Sequence, residues 1–130
     1  MTKEEVMRLT YGDYVEYCTE QNGENTWWNI GKVSHLLIYV EKVAMADTLI
    51  DAPYRSIRPI KTTPELLVKN GFVSEQVGLY KTIWTKECIT IEQTVSSFLM
   101  PCGLNEDIDV SEVHRLQQVI RLINGKELIV

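Results

Sequence analysis

DVSEVHRLQQVIRLINGKELIV, residues 109–130, carries the clearest periodicity in the chain. Val113, Leu116, Ile120 and Ile123 recur at three- and four-residue intervals and so share one face of a helix, while Glu112, Arg115, Gln118 and Arg121 fall elsewhere on the wheel. Asp109 or Ser111 can cap the amino end by accepting from unpaired amides, and Asn124-Gly125 supplies residues that tolerate a left-handed backbone at the other end. This pattern predicts a helix over 111–124. Residues 127–130, Glu-Leu-Ile-Val, are short and β-prone, which predicts a last strand after it. An apolar helical stripe must be covered, so the preceding sequence is expected to supply a sheet.

The composition allows one domain or two very small ones: 130 residues, 45% of them hydrophobic, can close a modest core. Thirteen basic against eighteen acidic residues leave a net charge of -5, which disfavours nonspecific attraction to nucleic acid or an anionic membrane. No apolar run approaches the roughly 18 residues of a membrane helix, and the start MTKEEVMRLT lacks the apolar stretch of a signal peptide. A soluble cytoplasmic protein is the expectation. Cys18, Cys88 and Cys102 are an odd number at wide spacings, which points to free thiols. With only His35 and His114 as imidazoles and no ligand spacing, neither a metal nor a cofactor is expected.

Upstream of the helix the chain reads as two subdomains, 1–61 and 62–130. Residues 2–7 are polar and charged, so order is expected from about Arg8. Residues 14–17 and 26–30 flank Asn22-Gly23 and read as a hairpin. Residues 33–43 form a continuous apolar run, expected as a central strand, with a helix as the competing reading for part of 36–46 because periodicity does not separate the two over so short a run. Leu49-Ile50 reads as a short strand broken by Asp51-Ala52-Pro53, and residues 54–60 follow as another. Strand centres at Tyr14, Thr26, Val33, Leu49 and Ile57 suggest a small SH3-like β-barrel, the alternative being a meander sheet that never closes. Residues 61–71 then carry helix punctuation, with Thr62 or Thr63 as cap, Pro64 in the first turn and Gly71 at the end. Residues 79–84, 87–93 and 95–100 read as three antiparallel strands, with Ile89 and Ile91 on one face and Thr90 and Glu92 on the other. Pro101-Cys102-Gly103 closes that sheet and an acidic loop, 105–109, leads to the helix. The expected class is α+β: a barrel-like start, then a small antiparallel sheet with the C-terminal helix packed on it.

IRPIKTTPELLVKNGF, residues 57–72, and VHRLQQVIRLINGKEL, residues 113–128, together resemble a set of small uncharacterised proteins common in Bacteroidetes genomes and in their phages and mobile elements. The shared pieces are Gly12-Asp13, Pro59-Ile60, Gly71-Phe72, Val113-His114, Leu116-Gln117 and Gly125, Glu127, Leu128, spread over nearly the whole chain. The resemblance implies the same architecture and a phage-associated setting, and it brings no activity with it. The chain departs from that pattern at Trp27-Trp28 and between Cys88 and Cys102.

Two features rise above ordinary packing. In Trp27-Trp28, adjacent strand residues face opposite ways, so one indole should enter the core and the other stay near the surface, where an exposed indole is suited to contact. Arg55, Arg58 and Lys61 place three positive charges in seven residues without an acid, an anion-attracting patch or a charged edge that discourages strand pairing. His114 and Gln117, three apart on the helix, read as structural. The acidic group Glu106, Asp107, Asp109 and Glu112 suits a helix amino terminus better than a calcium loop. No spacing announces a nucleophile or an acid–base pair. The sequence therefore supports a non-enzymatic binding module for a protein partner or for self-association, through Trp27, Trp28, Arg55, Arg58 and Lys61. The alternatives are capture of a small anionic ligand such as a nucleotide, or weak nucleic-acid binding.

Overall fold

A computed structural model describes residues 1–18, 28–46, 48, 50–103 and 106–130. The chain divides into two compact units, Met1–Ile60 and Lys61–Val130. Both are antiparallel five-stranded sheets, and the second carries the C-terminal helix, so the fold is mixed α+β.

The first unit opens with a helix where the sequence suggested a disordered start. Helix α1, Lys3–Val6, is capped by Thr2, whose hydroxyl accepts from Glu5 N and donates to the Glu5 carboxylate. Val6 is fully buried, and the Met1 nitrogen donates to the carbonyls of Tyr54 and Ile57. Strands β1 (Tyr14–Cys18), β2 (Trp28–Leu37), β3 (Lys42–Met45), β4 (Asp51–Pro53) and β5 (Ile57–Arg58) follow in the spatial order β4-β3-β2-β1-β5. The strand count is the expected five, but the divisions differ. The run 33–43 is two strands, because a 3-10 turn at Ile38–Val40 breaks it, followed by Glu41 in the left-handed region at φ 53°. Asp51–Pro53 is a strand and not a breaker: β4 lies at the sheet edge, where the missing N–H of proline costs no ladder bond. Among the described residues the ladder ends at β4 and β5, which do not pair, so the sheet is open. Asn22-Gly23, Thr26, Trp27 and Leu49 lie outside the described residues.

One face of this sheet holds a core of Val6, Leu9, Val15, Tyr17, Val33, Val43, Met45 and Ile57. Gly31 permits it. A Cβ there would stand 2.7 Å from Tyr17 Cε1 and 2.8 Å from Met45 Sδ, so the ring occupies the space a side chain would need.

In the second unit, helix α2 (Pro64–Lys69) matches its punctuation: Thr63 accepts from Leu66 N, Pro64 opens the first turn, and Gly71 follows at φ 86°. The sheet has five strands where the sequence suggested three: β6 (Val73–Gln76), β7 (Thr82–Lys86), β8 (Ile89–Gln93), β9 (Phe98–Pro101) and β10 (Asp107–Asp109), in a simple meander. The sheet therefore continues past Pro101, and part of the expected acidic loop is its edge strand, where exposed carboxylates cost little and blunt further pairing. Register places Trp84, Ile89, Ile91, Phe98 and Met100 on one face, all buried, and Thr90 and Glu92 on the other. The buried indole N–H of Trp84 donates to Gln93 at 2.8 Å.

Helix α3, Val113–Asn124, lies on the buried face, with Ile120 beside Phe72, Ile89 and Leu128 around a cavity of about 40 Å³. Val113, Leu116 and Ile120 are buried as expected, but Ile123 is 44% exposed. Neither expected cap acts as one. Glu112 is the N-cap without a side-chain bond, the Ser111 hydroxyl serves the Phe98 backbone, and Asp109 accepts from Ser111 N. Gly125 ends the helix at φ 70°, as its position implied. The expected last strand is absent. Instead the Asn70 side chain donates to the Ile129 carbonyl and accepts from the Ile129 N–H, both at 2.8 Å, so one amide supplies the bonds a neighbouring strand would have made. Its amino group also donates to Leu66 O.

Asn70→Ala removes all three bonds and frees the tail, so it is expected to lower unfolding stability by about 1–2 kcal/mol in urea titration. Gly31→Ala, which must displace the Tyr17 ring, is expected to cost about 1–3 kcal/mol in the same measurement.

Candidate functional site

The solvent-facing side of the first sheet is built by the register of β1 with its two neighbours. Glu16 pairs with Ile30 of β2 on one side and with Arg58 of β5 on the other, and Trp28 lies two residues from Ile30 on the same face. The consequence is a three-residue cluster. The Arg58 guanidinium lies 3.9 Å from the centroid of the Trp28 ring, and its Nε donates to Glu16 Oε2 at 2.5 Å. Along the same face Tyr14 pairs with Lys32, whose ammonium stands 5.8 Å from the phenol ring centroid. Exposed Ile30 sits between these two cation–aromatic pairs.

Carboxylate and indole together hold the arginine. Glu16 takes up the charge and one donor, Trp28 accepts the flat face, and the long side chain is thereby ordered in advance of any partner. Ordering a rotamer-rich residue beforehand reduces the entropy lost on binding. On the 3-10 turn at the β2–β3 connection, three successive apolar side chains, Ile38, Tyr39 and Val40, are exposed, Tyr39 fully at 103%. The continuous apolar run of the sequence points to a central strand there, with a helix as the competing reading.

Of the five residues expected to bind, the structure brings two together, Trp28 and Arg58. Trp28 is the half-buried indole on the outer face, and Trp27 lies outside the described residues. Arg55 is exposed on the 3-10 turn Tyr54–Ser56 that leads into β5. Lys61 belongs to the second unit, where its backbone bridges Glu112, so the three cations do not form one patch within the first unit. Glu16, Tyr14, Ile30 and Lys32 are the residues sequence reasoning missed. The alternation Tyr14-Val15-Glu16 places Tyr14 and Glu16 on one face, but their alignment with Arg58 depends on strand register, which no spacing reveals.

In the second unit His114 is buried, with its Nδ1 3.9 Å from the Glu112 carboxylate, and Gln117 is buried with its amide 3.4 Å from Glu127. Both serve the packed face of α3. Cys18 is buried, whereas Cys88 and Cys102 are exposed free thiols. Among the described residues no group of three or more His, Cys, Asp or Glu is placed to hold a metal ion, and no helix is long and apolar enough to cross a membrane. Comparison of the chain with protein-family models, with curated proteins and with solved structures returned no match.

The Glu16–Arg58 pair is half exposed, so its contribution is modest. A double-mutant cycle of Glu16→Gln and Arg58→Gln is expected to give a coupling of about 0.5–1 kcal/mol at low salt, falling as salt is added.

Proposed function

We propose that this chain is a non-enzymatic binding module whose first unit, an SH3-like partial barrel, meets a protein partner through the outer face of its sheet. The observation that carries the reading is the stacked Trp28–Arg58 pair, pinned by Glu16 and adjoining exposed Ile30. Trp and Arg are the side chains most enriched among residues that dominate interface energetics, and here they are presented ready-ordered beside an apolar residue. The barrel-like description draws support from five short strands in the order β4-β3-β2-β1-β5 with a 3-10 turn leading into β5. A phage- or mobile-element-associated setting rests on the sequence resemblance of residues 57–72 and 113–128, and a cytoplasmic one on the lack of an apolar run of membrane length in the sequence.

Capture of a nucleotide is the weaker reading for a physical reason. Stacking a base on Trp28 competes with the guanidinium already over that ring, and the charge of Arg58 is matched by Glu16. Nucleic acid is disfavoured further by the net charge of -5.

Affinity capture from the native host lysate with wild type, Trp28→Ala and Arg58→Ala as baits tests the proposal. A protein retained by wild type should be lost with either variant, while all three baits keep the same melting temperature within a few degrees. Equal retention by Trp28→Ala contradicts the assignment of the surface. A rise in melting temperature with nucleotides that disappears in Arg58→Ala would favour ligand capture instead.

A further inference from the structure

The second unit is apolar at both ends of its sheet, in opposite shapes. At the end where β8 begins and β9 finishes, the outer flank of α3 overhangs the strands. Val119, Leu122 and Ile123 face Ile89, Met100 and Ile108 across a groove of about 600 Å³, a size suited to bulky apolar groups. Leu122 is 87% exposed, and the thiols of Cys88 and Cys102 line the same groove. At the other end the β6–β7 turn, closed by Val77 N donating to Lys81 O at 2.8 Å, carries Leu79 and Tyr80 at 83% and 75% exposure. Tight turns ordinarily present Gly, Asn, Asp or Ser; here Gly78 provides the positive φ, and the two positions after it are large and apolar. Val95, on the neighbouring β8–β9 turn, extends the same apolar end.

The strand register fixes the separation of these features. β7 runs from the turn end at Thr82 to the groove end at Lys86, and β8 returns to Gln93, so about 17 Å of strand lies between them. A turn and a groove at opposite ends of one sheet cannot meet within one molecule. They can meet between two.

We propose that copies of this chain associate head to tail through the second unit, Leu79 and Tyr80 of one copy entering the groove beneath Leu122 and Ile123 of the next. The lining residues and the inserted pair carry no formal charge, so desolvation on docking leaves no buried ion. Because each copy offers a different surface from the one it uses, head-to-tail contacts extend into a chain or close into a ring, of which the reciprocal two-fold pair is the smallest. Copies of like net charge repel at a distance, so added salt strengthens this association, the opposite of an ion-paired interface. The proposal is independent of the Trp28 surface, and Trp28→Ala leaves it unchanged.

Sedimentation velocity of the full chain over a concentration range tests it. Wild type should grow in sedimentation coefficient with concentration, and more so at higher salt. A turn variant, Leu79→Ser with Tyr80→Ser, and a groove variant, Leu122→Ser with Ile123→Ser, should each stay monomeric, a weakening of about tenfold or more. Mixed in equal amounts the two should form a dimer and nothing larger, since one retains the groove and the other the turn. Alkylating Cys88 and Cys102 of wild type blocks the groove without a substitution and should give the monomer too, which covers the case of a groove variant that fails to fold. Several results overturn the proposal: a wild type monomeric at its highest soluble concentration, a groove variant that still self-associates, or dissociation by Tyr39→Ser in place of the turn variant.

Discussion

The burial of one stripe of α3 on the second sheet is the contact from which that unit's other features follow. Val113, Leu116 and Ile120 lose essentially all solvent exposure, and each such side chain contributes about 1.5–3 kcal/mol relative to remaining in water. That anchors the helix. Its seating then decides what lies beside the stripe: the flank formed by Val119, Leu122 and Ile123 faces Ile89, Met100 and Ile108 as the wall of a groove. The same helix thus provides a core face and an exposed apolar face, the second a consequence of where the first is seated.

In the first unit the governing constraint is size. Sixty residues bury a smaller fraction of their surface than a larger domain does, and one face of five short strands exhausts the available interior. Apolar residues beyond that number have nowhere to go. Ile30 and the Ile38–Val40 turn remain outside, and Trp28 and Tyr14 on the outer face are associated with cations drawn from neighbouring strands. A cation over a ring face reduces exposed aromatic surface while leaving the pair able to meet a partner.

What could be read in advance was whatever is written locally. Thr63, Pro64 and Gly71 delimit α2, Gly125 ends α3, and the 3.6-residue period identifies the buried face of α3, because each signal is a relation among residues a few positions apart. Ile123 shows the limit: periodicity says which face a residue occupies but not whether the opposing sheet extends that far. The turn at Ile38–Val40 carries no glycine or proline and uses a non-glycine residue, Glu41, at positive φ, so propensity pointed the other way. Edge strand β10 was hidden by its acids, and the tail by a partner 59 residues away in sequence, the Asn70 side chain. For the candidate site, Trp28 and Arg58 were conspicuous by composition. Glu16, which holds Arg58 against the ring, was not, because cross-strand register is a tertiary fact.

The most direct measurement of this account compares two leucines on α3. At protein concentrations low enough to keep the chain dispersed, urea unfolding of Leu116→Ala should show a loss of about 2–5 kcal/mol, the cost of emptying a packed position, while Leu122→Ala should stay within about 0.5 kcal/mol of wild type. Equal losses at the two positions, or a larger one at Leu122, would contradict the division of α3 into a core face and a groove wall.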